Sequence, residues 1–178
     1  PEAQDQQNDL LHRGILPVSC LKNDSTYKNV DDLYKIGVLS STSSGAIFDN
    51  VVCKGTIDIQ YDNFSYPSRE LMVGGIVAES TSDEFNSCSS SIVMNVYAAS
   101  ELNFMSLKVG GFTGETKDTE YNNSKNFGNI TVSGVIMIRD NGSYSTYVGG
   151  ITGYVYSSTR MSNCINYGII ESKKNFGC

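Results

Sequence analysis

Val148-Gly149-Gly150-Ile151-Thr152-Gly153, a polar loop, and then Met161-Ser162-Asn163-Cys164-Ile165-Asn166-Tyr167-Gly168-Ile169-Ile170 form the phrase on which the reading of this chain turns. It opens with an apolar residue, a glycine pair and a second apolar residue. After the loop come a large apolar residue, an Asn or Ser two positions on, and a Gly-x-Ile close. Three copies precede it. Ile36-Gly37-Val38-Leu39 leads to Phe48-Asp49-Asn50 and Gly55-Thr56-Ile57. Val73-Gly74-Gly75-Ile76 leads to Phe85-Asn86-Ser87 and Met94. Val109-Gly110-Gly111-Phe112-Thr113-Gly114 leads to Tyr121-Asn122-Asn123 and Gly128-Asn129-Ile130. Successive copies start 36–39 residues apart, and nine positions always separate the large apolar residue from Ile57, Met94, Ile130 or Ile170.

A period of this length marks a repeat architecture. One unit is too small to bury its own apolar face, so neighbours must stack. Gly inside a strand marks a bend or a close approach of another backbone, so the glycine pair is read as a corner. The large apolar row is read as an internal ladder, and the row Asn50, Ser87, Asn123, Asn163 as a polar ladder bonded along the stack. Each unit reads as about three short strands with turns. Asn23-Asp24-Ser25-Thr26 carries turn chemistry. Asn141-Gly142, between apolar runs, signals a hairpin.

Composition agrees. The chain is 39% apolar, with eleven Tyr and seven Phe, which is enough to bury a core. It is poor in helix formers and rich in Val, Ile, Thr, Tyr, Gly, Asn and Ser, the residues of strands and turns. The expectation is an all-β fold, a repeat β-solenoid or β-helix-like stack of about four units of 36–39 residues. Residues 1–21 are read as an N-terminal arm able to pair with a neighbouring subunit, and 22–178 as a single β-repeat domain with copies starting near 36, 73, 109 and 148. A net charge of −6 with scattered Lys and Arg argues against a nucleic-acid partner. No apolar run approaches the length of a membrane-spanning helix. Pro1 in place of an initiator Met suggests a mature or trimmed product.

The phrase resembles the GLUG motif repeats of bacterial and protist surface proteins, over roughly residues 34–172. The resemblance is carried by Val73-Gly74-Gly75-Ile76, Val109-Gly110-Gly111-Phe112-Thr113-Gly114, Val148-Gly149-Gly150-Ile151-Thr152-Gly153 and Asn163-Cys164-Ile165-Asn166-Tyr167-Gly168. Copy one departs with Val38 in place of the second Gly, and copy two with Ile92 in place of the closing Gly. The resemblance implies a β-solenoid scaffold in large secreted or cell-surface proteins, and it implies no catalytic residues.

Residues able to do chemistry are few. Five cysteines, Cys20, Cys53, Cys88, Cys164 and Cys178, lack zinc-ligand spacing and are disulfide candidates in an extracellular protein. Cys53 and Cys88 are the pair that adjacent units bring close on a diagonal; the alternative is buried, reduced thiols. The single histidine, His12, lies in the arm, and a Ser-His-Asp or Cys-His pair would have to recruit it from there. Asp58, Asp62, Glu79, Asp83, Glu84, Glu115 and Asp118 are the carboxylates from which a polysaccharide-acting site or a calcium site would be built; a solvated loop face accounts for them equally well. Asn23, Asn63, Asn122, Asn129 and Asn141 stand in glycosylation sequons, with Asn63 and Asn141 on turns. Tyr144, Tyr147, Tyr154 and Tyr156 cluster around copy four as packing residues or a contact surface.

The expected function is a non-catalytic extracellular or cell-surface structural or adhesive repeat protein, in one form a subunit of a head-to-tail fibre. No catalytic residues, metal or cofactor are expected, and the expected partners are further copies or other extracellular proteins and glycans. The alternatives are a carbohydrate-active β-helix enzyme and a spacer of a larger surface protein.

Overall fold

A computed structural model describes residues 21–28, 35–61, 70–98, 106–134 and 145–174. The arm before Leu21, together with His12, Cys20, Asp62, Asn63, Asn141, Tyr144 and Cys178, lies outside them. Among the described residues there are nineteen strands and no helix.

Each copy supplies the same strands in the same order. Copy one gives β2 (Lys35–Gly37), β3 (Ser40–Ser44), β4 (Ile47–Asp49) and β5 (Val52–Tyr61). Copy two gives β6 (Glu70–Gly74), β7 (Val77–Thr81), β8 (Glu84–Asn86) and β9 (Ser89–Ala98). Copy three gives β10 (Ser106–Gly110), β11 (Thr113–Lys117), β12 (Glu120–Asn122), β13 (Lys125–Asn126) and β14 (Ile130–Gly134). Copy four gives β15 (Ser145–Gly149), β16 (Thr152–Val155), β17 (Arg160–Ser162), β18 (Ile165–Asn166) and β19 (Ile170–Lys174). Before them all stands β1 (Leu21–Lys28).

Four parallel sheets result, each taking its strands from successive copies. Their orders are β2-β6-β10-β15, β3-β7-β11-β16, β4-β8-β12-β17, and β1-β5-β9 continuing through β13 and β14 to β18 and β19. The register is the one the nine-residue rule demands. Phe48 pairs with Phe85, Phe85 with Tyr121, and Tyr121 with Met161. Ile57 pairs with Met94, Met94 with Ile130, and Ile130 with Ile170.

Parallel register sets like residue upon like at the strand spacing of about 4.8 Å. The rings of Phe48 and Phe85 stack at 4.6 Å, and those of Phe85 and Tyr121 at 4.9 Å, with their planes nearly parallel. All three are fully buried, as are Ile57, Met94 and Ile130. Burying each such side chain stabilises the fold by about 1.5–3 kcal/mol. Tyr121 keeps its hydroxyl satisfied inside the core, 2.7 Å from Thr113 Oγ1.

The glycine pair is a corner. Strand β6 ends at Gly74 and β7 begins at Val77. A Cβ on Gly74 would overlap the Val77 carbonyl of its own unit, and one on Gly75 the Gly111 carbonyl of the next. A second corner holds Asn50, Ser87, Asn123 and Asn163 in the left-handed region, with φ of 53–54°. Asn tolerates that conformation better than most residues. The row is therefore chosen first by backbone geometry. Its ladder role is confined to one side-chain bond, Asn163 Nδ2 to Asn123 Oδ1 at 3.2 Å. The backbone N–H groups of Asn50, Ser87 and Asn123 each donate to a carbonyl of the following copy. A third corner, Gly45, Ser82 and Asp118, is also left-handed.

Three local expectations give way to tertiary pairing. Asn23-Asp24-Ser25-Thr26 is not a turn but part of β1, which pairs over its whole length with β5; strand partners outweigh turn propensity. The hairpin expected at Asn141-Gly142, itself outside the described residues, is not matched by the strands around it. Its flanking strands β14 and β15 lie in different sheets, each satisfied by parallel partners from neighbouring copies. Each unit holds four or five strands instead of three. The two departures from the phrase are both buried: Val38 at the first corner, and Ile92 within the unbroken β9.

The corner and the turn respond differently to a methyl group. Gly75→Ala is expected to cost more than about 2 kcal/mol, because backbone must move to admit it. Gly45→Ala, with φ of 68° and open space around it, is expected to cost only about 1 kcal/mol. Urea unfolding of both variants checks this, and equal losses would contradict it.

Candidate functional site

The carboxylates do not converge. Asp58 accepts from Asn95 Nδ2 at 2.6 Å on the sheet formed by β5 and β9. Glu79 pairs with Lys35. Glu115 shares Lys108 with Glu70. Asp118 accepts from Ser157 Oγ at 2.9 Å. Glu84 is exposed beside Glu120, which holds Arg160 at 3.0 Å. Glu79 and Glu115 are neighbours in register, yet each is matched to its own lysine. Among the described residues no cluster of His, Cys, Asp and Glu has the make-up of a metal site.

Lys108 is the most deeply placed of these cations, at 6% exposure. Burial lowers its pKa, but the two carboxylates outweigh burial and hold it above the ordinary lysine value. Its ammonium also lies 4.7 Å from the Tyr154 ring centre, and Tyr154 packs against Tyr147 at 4.7 Å. These two tyrosines of copy four thus close over a charged triad, while Tyr156 is 65% exposed.

Among the described residues Asp83 is the one buried carboxylate. It accepts from Ser80 Oγ at 2.6 Å, Ala46 N at 2.8 Å and Ser43 Oγ at 3.1 Å. Burial raises its pKa despite these bonds. The bond from Ser80 acts the other way, toward the ionised form. Ser80 Oγ also contacts Thr119 Oγ1 at 3.1 Å, and Thr119 donates to the Lys117 carbonyl. A hydroxyl has one proton to give. With Asp83 protonated, a chain of donations runs from Asp83 to Ser80 to Thr119 to Lys117. With Asp83 ionised, Ser80 donates back to it, and one link of the chain is lost.

Two of the described cysteines, Cys88 and Cys164, act as corner donors. Cys88 Sγ is 3.1 Å from the Phe48 carbonyl, and Cys164 Sγ 3.3 Å from that of Tyr121. Ser124 Oγ makes the same contact to Phe85, at 3.2 Å. Cys88 and Cys164 carry free thiols. Cys53 is buried in register with Ser90, and the free thiol of Cys88 leaves the diagonal pair unbridged. Burial pushes the Cys88 thiol up to about 11.

The described sequon asparagines sit in the stack. Asn23 belongs to β1, Asn122 Nδ2 donates to Asn86 Oδ1 at 3.1 Å, and Asn129 Oδ1 accepts from Ile169 N at 2.9 Å. A further asparagine ladder lies deeper: Asn126 Nδ2 reaches Asn166 Oδ1 at 2.8 Å and the Gly128 carbonyl at 3.0 Å. Its signal in the sequence is the repeated Asn-aromatic-Gly of Asn126-Phe127-Gly128 and Asn166-Tyr167-Gly168. The aromatic residues between point outward, exposed and stacked at 5.1 Å.

The apolar rows change character at copy four. Met161 is 45% and Ile170 42% exposed, whereas their row partners in copies one to three are at most 1% exposed. Ile165, Tyr167 and Ile169 are exposed with them. No protein-family model, curated protein or solved structure matches the chain.

Two outcomes follow for the buried groups. An acid whose folded pKa is raised favours folding below its unfolded pKa, and that contribution is lost as pH rises through the folded value. The contribution of Asp83 should therefore fall as pH climbs from about 4, so that the stability of wild type relative to Asp83→Asn declines over that range. Chemical unfolding across pH checks it, and an unchanged slope in the variant would count against the account. Cys88→Ser, which copies Ser124, should cost no more than about 1 kcal/mol. In the native chain a thiol reagent should modify Cys164 well before Cys88, as read by mass spectrometry.

Proposed function

We propose that the chain is a non-catalytic structural repeat scaffold, a β-solenoid of the kind the GLUG-repeat resemblance implies, working outside the cell or on its surface. The observation that carries the reading is the topology: each of four copies gives its strands in the same order to the same four parallel sheets. The recurrent positions are occupied by packing, by corners and by ladders, which leaves contact functions to outward-facing residues. Phe127 and Tyr167, stacked and exposed, offer such a surface to an extracellular protein or glycan.

The carboxylates fit the same reading, because ion pairing to Lys35 and Lys108 gives Glu79 and Glu115 structural work. Incubation with a panel of polysaccharides should release no reducing sugar. Glu115→Gln should instead lower stability by roughly 1–3 kcal/mol through the buried Lys108. Sugar release that Glu79→Gln or Glu115→Gln abolishes would overturn the scaffold reading in favour of a carbohydrate-active enzyme.

A further inference from the structure

The two ends of the stack differ. At the copy-one end the core is closed: Ile36, Phe48, Val51 and Ile57 are at most 3% exposed. At the copy-four end the same rows lie open, through Met161 and Ile170, with Val155, Ile165 and Ile169 beside them. Eight of the twelve large apolar residues exposed among the described residues belong to copy four. That concentration is unlike the scattered apolar exposure of an ordinary surface.

Backbone bonds between copies run both ways: Glu120 N donates to Asp83 and Arg160 N to Thr119, each of the preceding copy, while a second set points toward the open face. Leu39 N donates to the Ile76 carbonyl, Ile76 N to Phe112 and Phe112 N to Ile151, always toward the following copy. Asn50, Ser87 and Asn123 do likewise, the last to Ser162. Met94 N donates to Asn129, and Ile130 N to Ile169. Ile151, Asn163 and Ile170 hold the next position in these three series, at the open face. The side-chain ladders reach the same face, through Asn126 to Asn166 and Asn123 to Asn163.

We infer that the outer face of copy four is the seat of a further β-unit written in the same phrase, docked in parallel register. The inference rests on the scaffold reading and names the partner of its open end. The interface is one the chain already makes three times, and its requirements are explicit. The incoming unit brings an apolar residue and glycine pair over Val148-Gly149-Gly150, a large apolar residue over Met161, a left-handed Asn or Ser over Asn163, and an apolar residue over Ile170. A second copy of this chain arriving head to tail fits less well, because its leading core rows are already covered.

The register suggests the test. Lys174 pairs with Gly134, so the residue that follows Gly134 can follow Lys174 without a shift. The full chain through residue 174 is extended by a second pass of residues 135–174, with the added Cys164 equivalent changed to Ser. Native-state alkylation of the original Cys164 should slow at least tenfold, and amide exchange at Ile151, Asn163 and Ile170 should slow with it. An extension of shuffled sequence should give neither effect. Unchanged labelling, equal protection by the shuffled extension, or protection of the unextended chain that grows with concentration would each overturn the inference, the last by assigning the face to a second copy. Amides of β5, β9 and β14 report on the stack itself in the same samples. Their fast exchange would be failure of the scaffold reading, whereas protected β5, β9 and β14 with an open Cys164 would be failure of the docking alone.

Discussion

The close approach of one copy's backbone to the next at the glycine pair constrains the rest of the molecule. A Cβ at Gly75 would occupy the space of the Gly111 carbonyl, and one at Gly111 that of the Gly150 carbonyl. With the corners held at strand spacing, every later position in a unit faces its own equivalent. An aromatic residue meets an aromatic residue, and a left-handed corner meets a left-handed corner. Variation in length is pushed to where side chains and backbone are not in a row. Copy four shows this: Thr116 pairs with Val155, but Glu120 pairs with Arg160, so one extra residue is absorbed in the outward loop between them.

Tight corners bury polar groups, and the fold satisfies them across copies. Cys88, Ser124 and Cys164 each reach the carbonyl of the large apolar residue in the preceding unit. Thiol and hydroxyl are interchangeable there because only a small donor is needed. Asp83 does heavier duty, tying Ser43 and Ala46 of copy one to Ser80 of its own copy. Cys88, Cys164 and Asp83 thus each make hydrogen bonds that tie one copy to the next.

How much of this the sequence discloses depends on how far apart the partners are. The nine-residue distance from Phe48 to Ile57 and from Phe85 to Met94 sets two rows at once, and both rows form in that register. The glycine corner was legible for the same reason, since a feature repeated at fixed spacing has few explanations. Local signals were poorer guides. Asn141-Gly142 is a hairpin dipeptide, but parallel partners some 40 residues away occupy the strands on either side of it. The cysteines and carboxylates were read by type, whereas their roles come from register. Nothing in the sequence around Asp83 announces that Ala46 N and Ser43 Oγ, a whole unit away, will converge on it. The Asn126–Asn166 ladder was visible as a repeated Asn-aromatic-Gly, beside the more obvious row of Asn123 and Asn163.

The central claim is that successive copies lie in parallel, residue upon equivalent residue. Nuclear Overhauser contacts in the methyl-labelled protein test it directly. The account requires contacts from Ile57 to Met94 and from Met94 to Ile130. Antiparallel contacts between residues 130–134 and 145–149, across Asn141-Gly142, would contradict it.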